Sequence, residues 1–415
     1  MRLRFSLLLF VLLLTAGASH AQIYVDRDAN GANDGSSWAN AYRNLQTAID
    51  NASGSDEIWI AEGVYVPGTS QGDSFRIDGT QDGLKIYGGF ANGDAFADRN
   101  PTEHRTVLSG DIGDDDANKI GGVTRTADDI QGGNSNHVVS LDGTAGGGIT
   151  GATVIDGVTV TGGHADGNSP DDAGGGLFCD GRGSNNKCGP TIIGVVFSGN
   201  AASEEGGALA SRGENGGASS PTIINSIFSN NFSEGDGGAI YNRGNNGGAS
   251  SPTITNAAFF GNSSKNGGGA IFNHTSQPTI TNSTFSENSV TITSGRGGAI
   301  QNFKSSITIT NTILYGNNAS VGPEIGNLFS DMLISHTLIE GGLAGISNEF
   351  DSSTNDGGSN LDIDPLFVDA SDPDGPDDVF GTADDGLRLL PGSPAVDTGD
   401  NTPFEAGGAA ETVTT

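Results

Sequence analysis

Several residue types are scarce in this sequence. Of 415 residues, two are Cys, two are Met and two are Trp, and 18 Lys and Arg stand against 50 Asp and Glu. The formal net charge of −32 repels nucleic acids and anionic membrane surfaces, so neither is expected as a partner. Two cysteines that form no Cys-x-x-Cys motif are too few for a cysteine-ligated metal site or a redox motif.

Long apolar and long helical stretches are also missing. After residue 21 no apolar run approaches the roughly 20 residues that cross a bilayer, so no transmembrane segment is expected. The middle of the chain contains no stretch of about ten residues with helical periodicity. Helical solenoids and the leucine-rich horseshoe are therefore excluded. Glycine, by contrast, is abundant at 68 residues.

One short motif recurs five times between residues 174 and 317. It is a glycine pair followed by apolar residues, and its copies begin at Gly175, Gly206, Gly237, Gly268 and Gly297. The step from Leu209 to Ile240 and from Ile240 to Ile271 is 31 residues (240 − 209 and 271 − 240). Self-similarity at a fixed period of this size indicates a repeat architecture.

Two further motifs recur between the glycine pairs. A Thr-Ile step places isoleucines at Ile192, Ile223, Ile254, Ile280 and Ile309. An aromatic residue with Asn three positions later occurs at Phe197, Phe228, Phe259 and Phe285, with Leu314 as a variant. These runs alternate with period two and are bounded by Gly, Asn and Ser, which predicts short strands.

Repeats of this kind predict an all-β chain, a right-handed parallel β-helix in which each repeat forms one coil. Neighbouring coils pair at a spacing of about 4.8 Å, so the isoleucines and the aromatic residues stack into internal ladders. Four asparagines are expected to stack at a corner that needs left-handed backbone: Asn225, Asn256, Asn282 and Asn311. The glycine pairs are expected to form other corners.

The tandem Gly-Gly-Ala-Ile and Phe-x-x-Asn motifs resemble the repeat pair of polymorphic outer-membrane proteins and related bacterial β-helix surface proteins. The resemblance covers about a third of the chain, from 174 to 317. It implies a β-helix of the pectate-lyase type exposed outside the cell. It does not specify a ligand.

Four regions are expected along the chain. Residues 1–21 have a basic start, an apolar stretch and small residues before position 22, which is typical of a cleaved signal peptide and implies export. Residues 22–66 are expected to hold the first strands and a capping helix with Trp38, Tyr42, Leu45, Ala48 and Ile49 on one face. The β-helix should span 67–345. Residues 346–415 resemble the start of a choice-of-anchor Q module, here incomplete.

Cys179 and Cys188 lie at the two ends of one repeat loop. In an exported protein this position favours a disulfide that staples the loop. A metal or redox role would need more ligands or a closer pair, so a structural bond is expected.

Six aspartates near the end of the chain are the best metal-ligand candidates: Asp372, Asp374, Asp377, Asp378, Asp384 and Asp385. Aspartates alternating around Gly375 present carboxylate oxygens on one side of a turn, which suits calcium. The sequence lacks the Glu at the twelfth position of an EF-hand loop. A structural calcium ion and a plain solvated acidic loop are both consistent with it.

Function is less well specified than fold. Arg182, Arg212 and Arg243 lie in corresponding loops and are expected to stack as ligand-binding candidates. An adhesin-like protein that binds an extracellular polysaccharide or surface glycan without catalysis fits these features best. A polysaccharide lyase or glycoside hydrolase is the alternative, because Asp171-Asp172 and Glu204-Glu205 are paired carboxylates that such enzymes need. A structural stalk is the third.

Overall fold

A computed structural model describes residues 21–396 and 398–400 of the chain. The predicted signal peptide, with Arg2 and Arg4, lies outside the described residues except for its last residue. Most of the secondary-structure elements are short parallel strands, and the only α-helix among the described residues is Leu45–Asn51. Single 3-10 turns lie at Trp38–Asn40, Gly79–Gln81, Phe96–Asp98, Ala127–Asp129 and Leu343–Gly345.

Three long parallel sheets run the length of the molecule. Sheet 1 has eleven strands, Gln22–Val25, Glu57–Ala61, Lys85–Phe90, Val154–Asp156, Thr191–Ile193, Thr222–Ile224, Thr253–Thr255, Thr279–Thr281, Ser306–Thr310, Asp331–Ser335 and Ser353–Asp356. Sheet 2 has nine, Gly63–Tyr65, Thr106–Ser109, Thr159–Thr161, Val196–Ser198, Ile227–Ser229, Ala258–Phe260, Thr284–Ser286, Ile313–Tyr315 and Leu338–Ile339. Sheet 3 also has nine, Phe75–Asp78, Val139–Asp142, Leu177–Asp180, Leu209–Arg212, Ile240–Arg243, Ile271–His274, Ile300–Phe303, Ile325–Leu328 and Ser347–Glu349.

Two smaller ladders complete the coils. One has five two-residue strands between sheets 2 and 3, His164–Ala165, Ala201–Ala202, Phe232–Ser233, Ser263–Ser264 and Ser289–Val290. The other pairs Lys187–Cys188 with Ala218–Ser219. In the regular region each coil passes from sheet 1 to sheet 2 to sheet 3. The predicted fold, a right-handed parallel β-helix, is confirmed.

The predicted internal ladders form the core. Ile192, Ile223, Ile254, Ile280 and Ile309 pair in register along sheet 1 and are all fully buried. The aromatic residues pair in register along sheet 2, where the rings of Phe197, Phe228, Phe259 and Phe285 stack at centroid distances of 4.8, 4.7 and 4.5 Å. Burying each side chain of this size contributes about 2–3 kcal/mol.

The predicted asparagine corner lies between sheets 1 and 2. Asn225, Asn256, Asn282 and Asn311 all have left-handed backbone, with φ between 51° and 53°. The side-chain amide of Asn256 donates to Asn225 Oδ1 at 2.8 Å. Asparagine tolerates this backbone better than most residues, and its amide links neighbouring coils.

A second asparagine ladder runs inside the coil and ends on a carboxylate. Asn200, Asn231, Asn262, Asn288 and Asn317 are buried, and each of the first four donates its Nδ2–H to the Oδ1 of the next at 2.8–3.0 Å. Asn317 donates to Glu324, which is 1% exposed. The Phe-x-x-Asn motif therefore combines a core aromatic ring with a hydrogen-bonded amide.

The amino-terminal cap is shorter than predicted. The expectation of one helical face from Trp38 to Ile49 is wrong, because the helix begins only after Asn44, whose side chain accepts from Thr47 N at 2.8 Å. Leu45 and Ile49 enter the main core. Trp38 lies instead in a 3-10 turn and joins a separate aromatic cluster on the outer surface of sheet 1.

The end of the described chain returns over the β-helix. Parallel pairing continues past residue 345 to Ser347–Glu349 in sheet 3 and Ser353–Asp356 in sheet 1. Residues 363–396 then form a hairpin, closed by an antiparallel bridge between Phe367 and Leu389. We call residues 363–396 the C-terminal hairpin. It lies on the corner between sheets 1 and 2.

The predicted disulfide is present. Cys179 in sheet 3 bonds Cys188 across nine residues, and the pair is buried. In the next coil Ser211 pairs in register with Cys179 and Ser219 with Cys188, and Ser211 Oγ donates to Ser219 Oγ at 2.8 Å. A hydrogen bond thus takes the place of the disulfide one coil further on.

Candidate functional site

The outer surface of sheet 3 concentrates charged and aromatic side chains. Successive residues of a strand point to opposite faces, so the second and fourth residues of each four-residue strand point outward. The second residues are Phe178, Ala210, Tyr241, Phe272 and Gln301, and the fourth are Asp180, Arg212, Arg243, His274 and Phe303. We call these two outward rows, with the side chains that contact them, the sheet 3 face.

The three candidate arginines lie here, but they do not form one stack. Arg212 and Arg243 are partners in the strand register. The partner of Arg212 in the preceding coil is Asp180, so the prediction that Arg182 continues the stack is wrong. Sheet register is set by the buried Leu177 and Leu209, and it places Arg182 beyond the strand.

The arginines are held by carboxylates instead of forming a free basic ridge. Arg212, 5% exposed, donates through Nε and Nη2 to Glu205 Oε2 at 3.1 and 2.7 Å. Arg243 donates to the other oxygen of Glu205 at 2.9 Å and pairs with Glu214 at 2.5 Å. Arg182 pairs with Asp180 at 2.7 Å. The predicted candidates Glu205 and Arg212 are thus brought together, with Asp172 at 3.5 Å from Arg212 Nη2.

Asp236 is a residue of this network that sequence analysis missed. It pairs with Glu205 in a ladder of single bridges just before the glycine pairs. Burial, together with the charges of Glu205 and Glu204, raises the pKa of Asp236 to about 7. Asp236, whose pKa lies near neutrality, is therefore next to Glu205, whose carboxylate is held by two arginines. The 31-residue step from Glu205 to Asp236 was the signal that could have identified it.

Tyr241 and His274 extend the network toward the next coil. The Tyr241 hydroxyl lies 3.2 Å from His274 Nδ1. Burial and the nearby Arg243 charge lower the pKa of His274 below its usual value, which favours the neutral imidazole at neutral pH. The ring of Tyr241 stacks on Phe272 at 5.3 Å.

Beyond His274 the sheet 3 face continues into a strip of three aromatic rings, of which two are exposed. Phe303 contacts His274 edge-on at 5.1 Å and Phe329 at 6.1 Å, and Phe329 stacks on Phe350 at 5.1 Å. Phe329 and Phe350 are 48% and 59% exposed. Both have left-handed backbone, with φ of 51° and 53°, which is unfavourable for a bulky residue. We call Phe303, Phe329 and Phe350 the aromatic strip.

A cleft of about 270 Å³ lies on a different side of the molecule. Its floor is the outer surface of sheet 2, including Val196 and Ile227, and residues 101–125 form one wall. The tip of the C-terminal hairpin, 374–381, forms the other wall. Arg125 fixes this tip through ion pairs with Asp374 at 3.2 Å and Asp378 at 2.5 Å. We call this cavity the hairpin cleft.

The six predicted metal ligands are spread over the hairpin. Asp374 and Asp378 contact Arg125, Asp384 and Asp385 accept hydrogen bonds from Thr382, and Asp377 accepts from Val379 N. A calcium ion bound to Asp374 and Asp378 would have to displace Arg125. The calcium site stays a prediction, and comparing thermal unfolding in calcium and in a chelator would test it.

Another acidic group is more compact. Among the described residues, Asp111, Asp115 and Asp116 bring potential ligand oxygens within 4.8 Å of one another. Lys119 pairs with Asp111 and with Asp114. Burial raises the pKa of Asp116, although Thr124 and Asn134 donate hydrogen bonds to it. The lysine already supplies a positive charge to this group.

A known repeat family matches part of the repeats. The Chlamydia polymorphic membrane protein repeat matches residues 194–212 and 225–243. The crystal structure of pectate lyase Pel9A is similar with a TM-score of 0.42 and 15% sequence identity, over 92% of this chain and 93% of that one. No curated protein sequence matches the chain significantly.

No helix among the described residues is both long and apolar enough to cross a membrane. The chain is a parallel β-helix repeat protein whose coils include repeats of the polymorphic-membrane-protein type.

Proposed function

We propose that this protein is exported to the cell surface or the medium and binds an extracellular polysaccharide or surface glycan along the sheet 3 face, without cleaving it. The observation that carries the proposal is the aromatic strip, where Phe329 and Phe350 are exposed, stacked and held in unfavourable backbone. Exposed rings in unfavourable backbone lower the stability of the fold. A role in ligand binding would explain why the chain keeps them.

The chemistry of the sheet 3 face suits a sugar chain. An aromatic ring packs against the C–H face of a pyranose ring, and charged side chains can hydrogen-bond its hydroxyl groups. Coils are spaced by about 4.8 Å, close to the length of one pyranose residue, so rings in successive coils would meet successive sugars. The Arg212–Glu205–Arg243 network lies further along the same face and supplies donors and acceptors.

The surface location rests on two features. Polymorphic membrane proteins of Chlamydia, whose repeat this chain shares, are membrane proteins by name. The predicted signal peptide implies export, and the net charge of −32 favours solubility outside the cell. Localising an epitope-tagged full chain by surface protease digestion would test the location.

A glycoside hydrolase is the second candidate, and Asp236 is the observation that favours it. A protonated acid beside an ionised carboxylate on neighbouring coils is the arrangement in which glycosidases divide acid and base roles. The pKa of Asp236 near 7 would allow it to act as the acid, with Glu205 as its partner. Against this reading, both oxygens of Glu205 are already engaged by arginines.

One experiment separates these candidates. The mature chain is incubated with a panel of acidic and neutral polysaccharides, and polymer retention and chain shortening are both followed. Retention without shortening, lost in a Phe329→Ala/Phe350→Ala double variant, is the expected result. Phe260→Ala is the matched control, because Phe260 is a partly exposed ring on the outer surface of sheet 2.

The other outcomes are equally informative. Shortening that disappears in Asp236→Asn would replace the binding function with a hydrolase. Neither retention nor shortening of any polymer would leave a structural stalk as the better account. Retention that is unchanged in the double variant would remove the aromatic strip from the binding surface.

A further inference from the structure

The hairpin cleft is lined by an arginine, Arg105, that forms no ion pair with an acidic side chain of the described chain. Arg99 pairs with Asp156 at 2.5 Å, and Arg125 pairs with Asp374 and Asp378. Arg105 is half-buried in the cleft wall, and its guanidinium makes no ion pair or hydrogen bond within the described chain. Asp374 and Asp377 act on it only at longer range.

This situation is unusual for a chain with 50 acidic and 18 basic residues. The other described arginines without an acid partner, Arg27, Arg43 and Arg388, are exposed to solvent. A guanidinium that is partly shielded from water and unpaired loses part of its hydration without compensation. An acceptor supplied from outside the chain would restore the lost hydrogen bonds.

We propose that the hairpin cleft binds a small organic carboxylate with an apolar body, and that Arg105 holds the carboxylate. The fork of guanidinium N–H groups matches the two oxygens of a carboxylate. Val196, Ile227 and Phe380 give the floor and the hairpin side an apolar lining for the rest of the ligand. A cavity of about 270 Å³ limits the ligand to the size of a small aromatic or short aliphatic acid.

The hairpin makes this site depend on the carboxy-terminal part of the chain. Val379 and Phe380 reach the cleft because Arg125 anchors Asp374 and Asp378 beside them. The site is on sheet 2, so it does not rest on glycan binding at the sheet 3 face. Either proposal can fail without the other.

Benzoate is a suitable probe, titrated into the full mature chain by calorimetry. Benzamide has the same ring without the charge, and glucuronate has the charge on a hydroxylated body. We expect saturable binding of benzoate at one site. Benzamide and glucuronate should each bind about tenfold more weakly or worse, since one loses the charge-assisted pair and the other the apolar contact.

Two variants test the assigned residue. Arg105→Gln should weaken benzoate binding about tenfold or more, whereas Arg388→Gln, at an exposed arginine outside the cleft, should not change it. Ile227→Asp places a carboxylate in the floor while Arg105 is kept, and it should also weaken binding. This second variant covers the case in which Arg105→Gln unfolds, which a thermal melt would show.

Three results would overturn the proposal. They are no saturable binding of benzoate, equal binding of benzamide, and an Arg105→Gln protein that folds and binds like the parent. Tighter binding of glucuronate than of benzoate would overturn the assignment of an apolar body.

Discussion

The carboxylate of Glu324 closes the internal asparagine ladder at Asn317. Its Oε1 accepts from the Asn317 backbone N–H at 3.3 Å and its Oε2 from the Asn317 side-chain N–H at 2.6 Å. In the earlier coils the same two donors go to the Oδ1 of the next asparagine. Glu324 therefore replaces a sixth asparagine with a group that can lose its charge.

Removing this acceptor should destabilise the carboxy-terminal coils. In Glu324→Ala both donors of Asn317 would be buried without partners, at a cost of about 2–3 kcal/mol. Glu324→Gln keeps an amide oxygen and should cost less than half as much. Urea unfolding measures the difference, with the exposed Glu103→Ala as control. Equal stability of the Ala and Gln variants would contradict the role of the hydrogen bonds.

Stability should fall as the pH rises through neutrality. Burial raises the pKa of both Glu324 and Asp236 to about 7 in the folded chain, from their ordinary values of 4.5 and 3.8. A group whose folded pKa is raised stabilises the fold below its unfolded pKa, and that stability is lost as the pH rises through the folded pKa. For Glu324 the loss between pH 4.5 and pH 7–8 is up to about 3 kcal/mol.

The measurement is the midpoint of thermal unfolding between pH 4 and pH 8. The parent should lose stability progressively from about pH 4.5 up to pH 7–8. Asp236→Asn combined with Glu324→Gln should flatten the curve, because neither replacement titrates. A parent whose midpoint rises steadily from pH 4 to pH 8 would contradict this prediction.

The contribution of the disulfide to stability can be compared with that of the serine hydrogen bond in the next coil. Closing a loop of nine residues is worth about 2–3 kcal/mol through the unfolded state. A Cys179→Ser/Cys188→Ser double variant should lose less than Cys179→Ala/Cys188→Ala. The serines can form the hydrogen bond that Ser211 and Ser219 form in the next coil. Chemical unfolding of both variants under non-reducing conditions tests this order.

Arg212 should matter for stability more than Arg243. It is 5% exposed and lies between Glu205 and Asp172, so Arg212→Met would leave the partly buried Asp172 without a cation and Glu205 with Arg243 alone, at a cost of about 3 kcal/mol. Arg243 is less buried, and Arg243→Met should cost about 1 kcal/mol. Denaturant unfolding compares the two, and similar losses would show that burial does not decide the effect.

The ladders could be predicted because they follow from a local pattern repeated at a constant step. The equivalents of Ile223 and Phe228 recur with the same neighbouring residues in each repeat. Their position in one coil therefore predicts their position in the others. Arg182 could not be placed correctly, since the sheet register depends on which apolar residue is buried and not on the position of the loop. The aromatic strip was missed because the coils shorten there, from 31 residues to 25 and then 21.

The contacts of the C-terminal hairpin could not be predicted from the sequence, for a different reason. Arg125 and Asp374 are 249 residues apart, and no periodicity connects them. Likewise, nothing in the residues around Arg105 shows that a distant hairpin would shield it. Only the assembled coils bring these groups together.

The segment from Asp374 to Asp400 also constrains the length of the β-helix. A solenoid can ordinarily gain or lose a repeat, because each coil contacts only its neighbours. Here Arg125 holds Asp374 near one end of the regular coils, and Asn311 bonds the backbone of Asp400 several coils away. Inserting one coil between these anchors would move them apart by about 4.8 Å, enough to break one set of contacts. The number of repeats is thereby fixed by the length of a segment that contains none of them.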